Sequence, residues 1–277
     1  MSNITSKVEE RLKSGIKKFQ PIVANAKSQD LNETDTVRII SGILEEVLGY
    51  DRYLEISSEM NIKGTYCDLC LKLDNEVQVL IEAKAVGIEL KSNHLKQVVD
   101  YAANKGIDWV ILTNGINWNV YKIMYAKPIN QELIIEFDFL NISHKSSSDL
   151  ADLYLLTKEA LSKTQLEKYY TQKKALSKYY IGAIILNDVI LDRIRKEIKM
   201  ISPDVRVTSE QIEVVIMEEV LKREIIESDK FAEAQKSIYK MYNKKAKHKT
   251  NKDDITETDI LTKVADKQEN GTNEVNV

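Results

Sequence analysis

Apolar residues recur at three- and four-residue spacing through Val37, Ile39, Ile40, Ile43, Leu44, Val47 and Leu48. This predicts an amphipathic helix over Thr36 to Leu48, with Gly49 placed to end it. An outer helix is expected earlier, from Val8 to Lys27, with Pro21 kinking or dividing it. After Gly49 the period drops to two. Tyr53 to Asn61, Tyr66 to Leu73 and Glu76 to Lys84 read as strands, and Asp74-Asn75 marks a turn between the last two. Helical spacing returns from Asn93 to Asn104. Trp109 to Thr113 and, after Asn114-Gly115, Asn117 to Met124 are two more strands, and Leu133 to Leu140 adds another. Such an order predicts an α/β sheet with a helix crossing one face.

Beyond Ser146-Ser147-Ser148 the pattern becomes helical. Ile181, Ile184, Ile185, Val189, Ile190, Ile194 and Ile198 form one stripe, Ser202-Pro203-Asp204 breaks it, and Thr208-Ser209-Glu210-Gln211 reads as a capping box opening a further helix. After Asn243, lysine, asparagine, aspartate and threonine dominate, and a disordered tail is expected. The organisation read from these shifts is an N-terminal helix over 1–30, an α/β domain over 31–145, a helical region over 150–243 and a tail over 244–277. There is no internal repeat.

Composition changes this picture little. The 277 residues, 43% hydrophobic and 30% charged, describe an ordinary globular chain. A formal charge of −3 provides no global basic field, so a nucleic-acid partner would have to be met by local lysine patches. Absence of a long apolar run or leader-like start leads us to expect a cytoplasmic protein with no membrane partner. The two cysteines, Cys67 and Cys70, are three apart on an expected strand, where alternation would turn them to opposite faces. They are expected to be buried structural thiols.

Candidate chemistry lies at the end of the third strand. Val77, Val79, Ile81 and Ala83 take one face, leaving Glu82 and Lys84 to project together from the other. Charges at the end of an apolar strand cost desolvation unless paired, bound to metal or set at a cleft. Register decides what faces them. A three-residue loop, Asp74-Asn75-Glu76, sets Asp68 opposite Glu82 with Cβ atoms about 5 Å apart. A two-residue loop points Asp68 with Ile81 instead, so the pair requires the longer loop or a bulge. Two such carboxylates repel, and a hard cation such as Mg²⁺ resolves the repulsion. A salt-bridge network of Asp68, Glu82 and Lys84 would account for the same residues.

Together these features resemble the PD-(D/E)xK nuclease superfamily, and within it the N-terminal nuclease domain of type I restriction enzyme R subunits. Asp68 matches the motif aspartate, and Glu82-Ala83-Lys84 matches the ExK element. Gln97-Val98-Val99-Asp100-Tyr101 is similar to the Gln-x-x-x-Tyr motif of the branch shared with RecB-like nucleases. Leu112-Thr113-Asn114-Gly115-Ile116-Asn117-Trp118 and Val120-Tyr121 are similar to the strand-turn-strand that closes the domain. Asn32-Glu33-Thr34-Asp35-Thr36 and Leu48-Gly49-Tyr50-Asp51 look like its opening helix. The resemblance covers about residues 31 to 124.

What the resemblance implies is a restriction-endonuclease-like mixed sheet flanked by helices, followed here by an all-helical extension. It implies a metal-dependent endonuclease acting on DNA, in restriction of foreign DNA, with Mg²⁺ or alternatively Mn²⁺ held by Asp68, Glu82 and the carbonyl of Ala83. Lys84 would be catalytic and Glu33 the first acidic residue, with Glu45 and Glu46 as alternatives. Gln97 and Tyr101 would support the site or meet DNA. Lys91, Lys96 and Lys105 are candidate phosphate contacts. Other restriction-system subunits are expected partners, as is a second copy of the chain through the helical region. No Gly-x-x-x-x-Gly-Lys-Ser/Thr loop occurs, so no ATP site is expected. A non-catalytic DNA-binding or assembly module with the same fold is the alternative reading.

Overall fold

A computed structural model of the protein describes residues 4–62, 65–125 and 128–243; of these, the side chains of 59–62, 65, 66 and 97 are not described. The expected tail, 244–277, lies outside the described residues. Two compact units divide between Tyr170 and Thr171.

The first unit holds a six-stranded sheet in chain order: β1 (Ile56–Ile62), β2 (Thr65–Leu73), β3 (Glu76–Ala83), β4 (Trp109–Thr113), β5 (Asn117–Met124) and β6 (Asn130–Asp138). Neighbours are antiparallel except β3 and β4. That one parallel pair needs a crossover. Helix α3 (Lys96–Lys105), entered through a 3₁₀ turn at Ser92–His94, provides it. The sheet is buried on both faces. Leu69, Leu71, Val79, Ile81, Ala83, Trp109 and Ile111 pack with α1 (Ser6–Ser28) and α2 (Glu33–Gly42), whereas Cys70, Leu80, Val110 and Leu112 pack with α3.

The β2–β3 register resolves the question raised by the sequence. The turn is the two-residue Asp74-Asn75, both in the left-handed region (φ 51° and 65°), so Leu73 pairs with Glu76 and Lys72 with Val77. A bulge then intervenes, and Leu71 pairs with Val79, Cys70 with Leu80 and Leu69 with Ile81. Gln78 is the extra residue. The slip of one position restores the register that faces Asp68 toward Glu82.

Two helical expectations are altered. Pro21 does not divide α1, which is continuous from Ser6 to Ser28; the proline lies on the exposed face, where the carbonyl it leaves unpaired can meet water. The helix after Asn32 starts before Thr36, capped by the Asn32 side chain accepting from the Asp35 N–H, and ends in a π-helical turn over Ile43–Val47. Gly49 then takes φ +85°.

Arg11 clasps this end. Its guanidinium donates to both carboxylate oxygens of Glu159 at 2.6 and 2.7 Å and to the carbonyls of Val47 and Leu48. Burial alone would raise the Glu159 carboxyl, but Arg11 outweighs it and holds the group below the ordinary range. Its stabilising contribution is therefore present above the ordinary carboxylate range and lost as pH falls through the depressed value. Glu159→Gln is expected to lower the melting temperature at pH 7, with the gap to the parent closing in acid; a gap independent of pH in thermal melts would contradict this.

After α4 (Ser147–Tyr154), α5 (Lys158–Ser162) and α6 (Gln165–Ala175), the second unit contains α7 (Lys178–Ile185), α8 (Asp188–Ile201), α9 (Ser209–Val215), α10 (Arg223–Ile226) and a helix over 229–243. Ala183, Leu191, Ile212, Ile216, Phe231 and Ile238 form its core. The isoleucine stripe is split between α7 and α8 because Asn187 caps a new helix, and Ile181 and Val189 are exposed. The Thr208/Gln211 capping box is formed in both directions.

Candidate active site

The C-terminal end of β3 brings the motif residues together. Asp68, one register step beyond the Leu69–Ile81 pair, accepts a hydrogen bond from the Ala83 N–H through Oδ2 at 2.7 Å. Lys84 Nζ donates to Glu82 Oε1 at 2.7 Å and to the Ala83 carbonyl at 2.8 Å, and reaches Glu33 Oε2 at 3.5 Å. Glu33 opens α2, whose first turns face this end of β3. The side chains of Glu82 and Lys84 are 12% and 19% exposed and that of Glu33 is 49% exposed, so the cluster runs from half-buried to open.

Electrostatics here are unbalanced. Burial raises the Glu82 carboxyl; its bond to Lys84 opposes this, and the nearby charges of Asp68 and Glu33 add to it. Burial would lower the Lys84 ammonium, yet Glu82, Asp68 and Glu33 together raise it. Three carboxylates around one ammonium leave a formal charge of −2 at a partly desolvated spot. Such a site favours cations. Among the described residues no group of three His, Cys, Asp or Glu side chains is arranged as a metal cage. The oxygen donors at hand are two carboxylates and a main-chain carbonyl, a hard-cation set, and a positive group of the chain itself, the Lys84 ammonium, already rests on two of these oxygens.

The segment that carries this constellation can be compared with known families. Residues 39–136 match the family model of the type I restriction enzyme R protein N terminus. The matched stretch contains β1 to β5, α3 and most of β6, and with them Asp68, Glu82, Ala83 and Lys84. This bears out the resemblance drawn from the motifs. Glu33 lies just before the matched stretch. Neither curated proteins nor solved structures yield a match to the chain.

Other expected residues in the matched stretch are placed differently. Tyr101 is buried in the cluster beneath α3 with Cys67, Cys70, Leu80 and Leu112, and its hydroxyl is raised first by burial. Gln97 lies on α3, but its side chain is outside the described residues. Lys91 and Lys96 are exposed on the segment that follows Lys84, whereas Lys105 ends α3, about 14 Å along the helix from Lys96. Glu45 pairs with Arg52 and Glu46 with Lys18. Of the three upstream acids, Glu33 is the one paired with Lys84. Both cysteines are buried thiols in the same cluster, not joined in a disulfide, so alternation does not separate them, and burial pushes the Cys67 thiol up to about 12. No described helix is long and apolar enough to cross a membrane.

Sequence reasoning missed the side chains that hold the loop after Lys84. Lys84 N–H donates to the Thr113 carbonyl, Val86 N–H donates to Thr36 Oγ1, and Asn114 Nδ2 donates to the carbonyls of Val86 and Ile88. Asn114 was legible only as a turn residue, since a local signal cannot announce a bond to a residue 26 or 28 positions earlier.

Proposed function

We propose that this chain is a metal-dependent endonuclease that hydrolyses DNA phosphodiester bonds in the restriction of foreign DNA. The observation that carries the reading is the Lys84 ammonium seated on Glu82 and Ala83, both within the stretch that matches the R-protein N-terminal family model, inside a cluster that Glu33 brings to a formal charge of −2. Asp68, Glu82 and the Ala83 carbonyl would hold Mg²⁺ or Mn²⁺, which supplies a bound water of lowered pKa and offsets charge on the phosphate. The bond from Ala83 N–H to Asp68 orients that carboxylate relative to the strand end. Lys84 would donate hydrogen bonds to the phosphate oxygens or to the attacking water. Glu33, more exposed, steadies the ammonium. Lys91 and Lys96, both exposed, are the proposed contacts to backbone phosphates, which would not read sequence. DNA and other restriction-system subunits are the proposed partners.

The test is conversion of supercoiled plasmid to nicked and linear forms by the full chain with Mg²⁺ or Mn²⁺, repeated with EDTA and with Glu82→Gln. Cleavage is expected only with metal and the intact glutamate. Equal nicking by both chains, or none by either across supercoiled, linear and single-stranded DNA, refutes the proposal; binding that weakens steeply with salt but never cuts would favour a DNA-binding module instead.

A further inference from the structure

We infer that Thr36 and Asn114 are positioning residues that lock the segment from Ala83 to Ile88, and through it the Ala83 carbonyl and the Lys84 ammonium. This rests on the nuclease reading of Asp68, Glu82 and Lys84. Among the described residues five polar or charged side chains are buried: Thr36, Thr113, Asn114, Lys122 and Thr157. Three of the five surround this one segment. A buried polar side chain is retained at a cost in desolvation that only its hydrogen bonds offset, so the concentration calls for a local reason.

The bonds supply that reason. Thr36 Oγ1 donates to the Asn32 carbonyl at 2.8 Å and accepts from the Val86 N–H at 3.2 Å, joining the segment to the first turns of the helix that carries Glu33. Asn114 faces two ways. Its Oδ1 accepts from the N–H groups of Ile116 and Asn117, which shapes the β4–β5 turn, while its Nδ2 donates to the Ile88 carbonyl at 2.9 Å and the Val86 carbonyl at 3.4 Å. Lys84 N–H is fixed to the Thr113 carbonyl at 2.9 Å on the adjoining strand. The backbone on the C-terminal side of the ExK tripeptide is thus tied to α2 and to the β4–β5 turn by side chains that touch no candidate catalytic group. Geometry held to a fraction of an ångström is what a metal-and-lysine site requires, and supporting residues of this kind typically contribute 10- to 100-fold in metal affinity or activity.

Asn114→Asp separates the two duties of Asn114. It keeps the oxygen that accepts from Ile116 and Asn117 and sets a second oxygen against the Val86 and Ile88 carbonyls. Thr36→Val removes one hydroxyl at nearly constant shape, and Thr36→Ser restores it. In the full-length protein, the amides of Lys84 and Val86 should exchange with solvent at least about tenfold faster in Asn114→Asp and Thr36→Val. Mn²⁺ should bind about tenfold more weakly, melting of Thr36→Val should stay within about 4 °C of the parent, and Thr36→Ser should recover both the exchange and the affinity. Unchanged exchange at 84–88 in either folded variant overturns the inference. So does acceleration spread evenly over the sheet, which would mark a role in global stability. If Asn114→Asp fails to fold, the Thr36→Val and Thr36→Ser pair decides alone. A parent chain that neither binds Mn²⁺ nor cuts DNA would sink the nuclease reading, and the exchange comparison would still decide the positioning.

Discussion

Lys84→Ala is expected to cleave plasmid at least about 10²–10³-fold more slowly than the parent at saturating Mg²⁺, while binding Mn²⁺ at least as tightly. The two effects have opposite signs because of where the ammonium rests. It holds Glu82 Oε1 and the Ala83 carbonyl, two of the three oxygens proposed for the ion, so removing it frees donors and deletes a repelling charge. Turnover nevertheless falls, since Lys84 is the positive group that Asp68, Glu82 and Glu33 surround, and its loss leaves charge developing on the phosphate without that donor. Stability should respond to metal in the same sense. With Lys84 gone, the acids repel one another without its ammonium between them, and Mg²⁺ should raise the melting temperature of the variant more than that of the parent. Isothermal titration with Mn²⁺, initial nicking rates and melts with and without Mg²⁺ check all three. Nicking at the parental rate, or a Mn²⁺ affinity that drops tenfold with the lysine, would show that Lys84 does not have this role.

Much of this site was legible because its residues sit on regular elements. The alternation along β3 put Glu82 and Lys84 on one face from the sequence alone, and the structure agrees there; Val77, expected beside Val79, packs on the α3 side because the bulge intervenes. The facing of Asp68 was legible only as a condition. The turn chemistry of Asp74-Asn75 pointed to two residues, and the pairing to Glu82 needed one more; the bulge at Gln78 supplies it, and nothing in Lys72 to Val79 announces a bulge. Tertiary bonds were least legible. Lys122, buried between Asp108 and Glu167 at 2.9 and 2.6 Å and over the Trp109 ring, carries no local signal in the sequence, because its second acid lies 45 residues away. Arg11 and Glu159, 148 positions apart, were hidden for the same reason. Helix ends were read well where a local side chain decides them, as at Thr208, and poorly at Asn187, whose capping splits a stripe that looked continuous.

Gly15 marks another contact that periodicity does not encode, and Gly15→Ala is expected to destabilise the first unit by about 2 kcal/mol. Helix propensity alone predicts the reverse sign, since alanine is favoured over glycine by about 1 kcal/mol inside a helix. Packing decides. A Cβ at Gly15 would lie 2.6 and 2.9 Å from the two methyl carbons of Val47 and 3.0 Å from its Cβ. Rotating the valine still leaves one methyl against the new Cβ and does not move the valine Cβ. Nor is Val47 free to retreat, because it sits in the π-helical turn between Leu44 and Leu48, both fully buried. The helices must therefore separate, and α1 would lose contact along Leu12, Ile16 and Phe19. The melting temperature of this unit should fall by about 4–8 °C. Adding Val47→Ala to Gly15→Ala should recover part of the loss that either substitution causes, because the two small side chains share the space; strictly additive melts would show that the contact is not what makes position 15 a glycine.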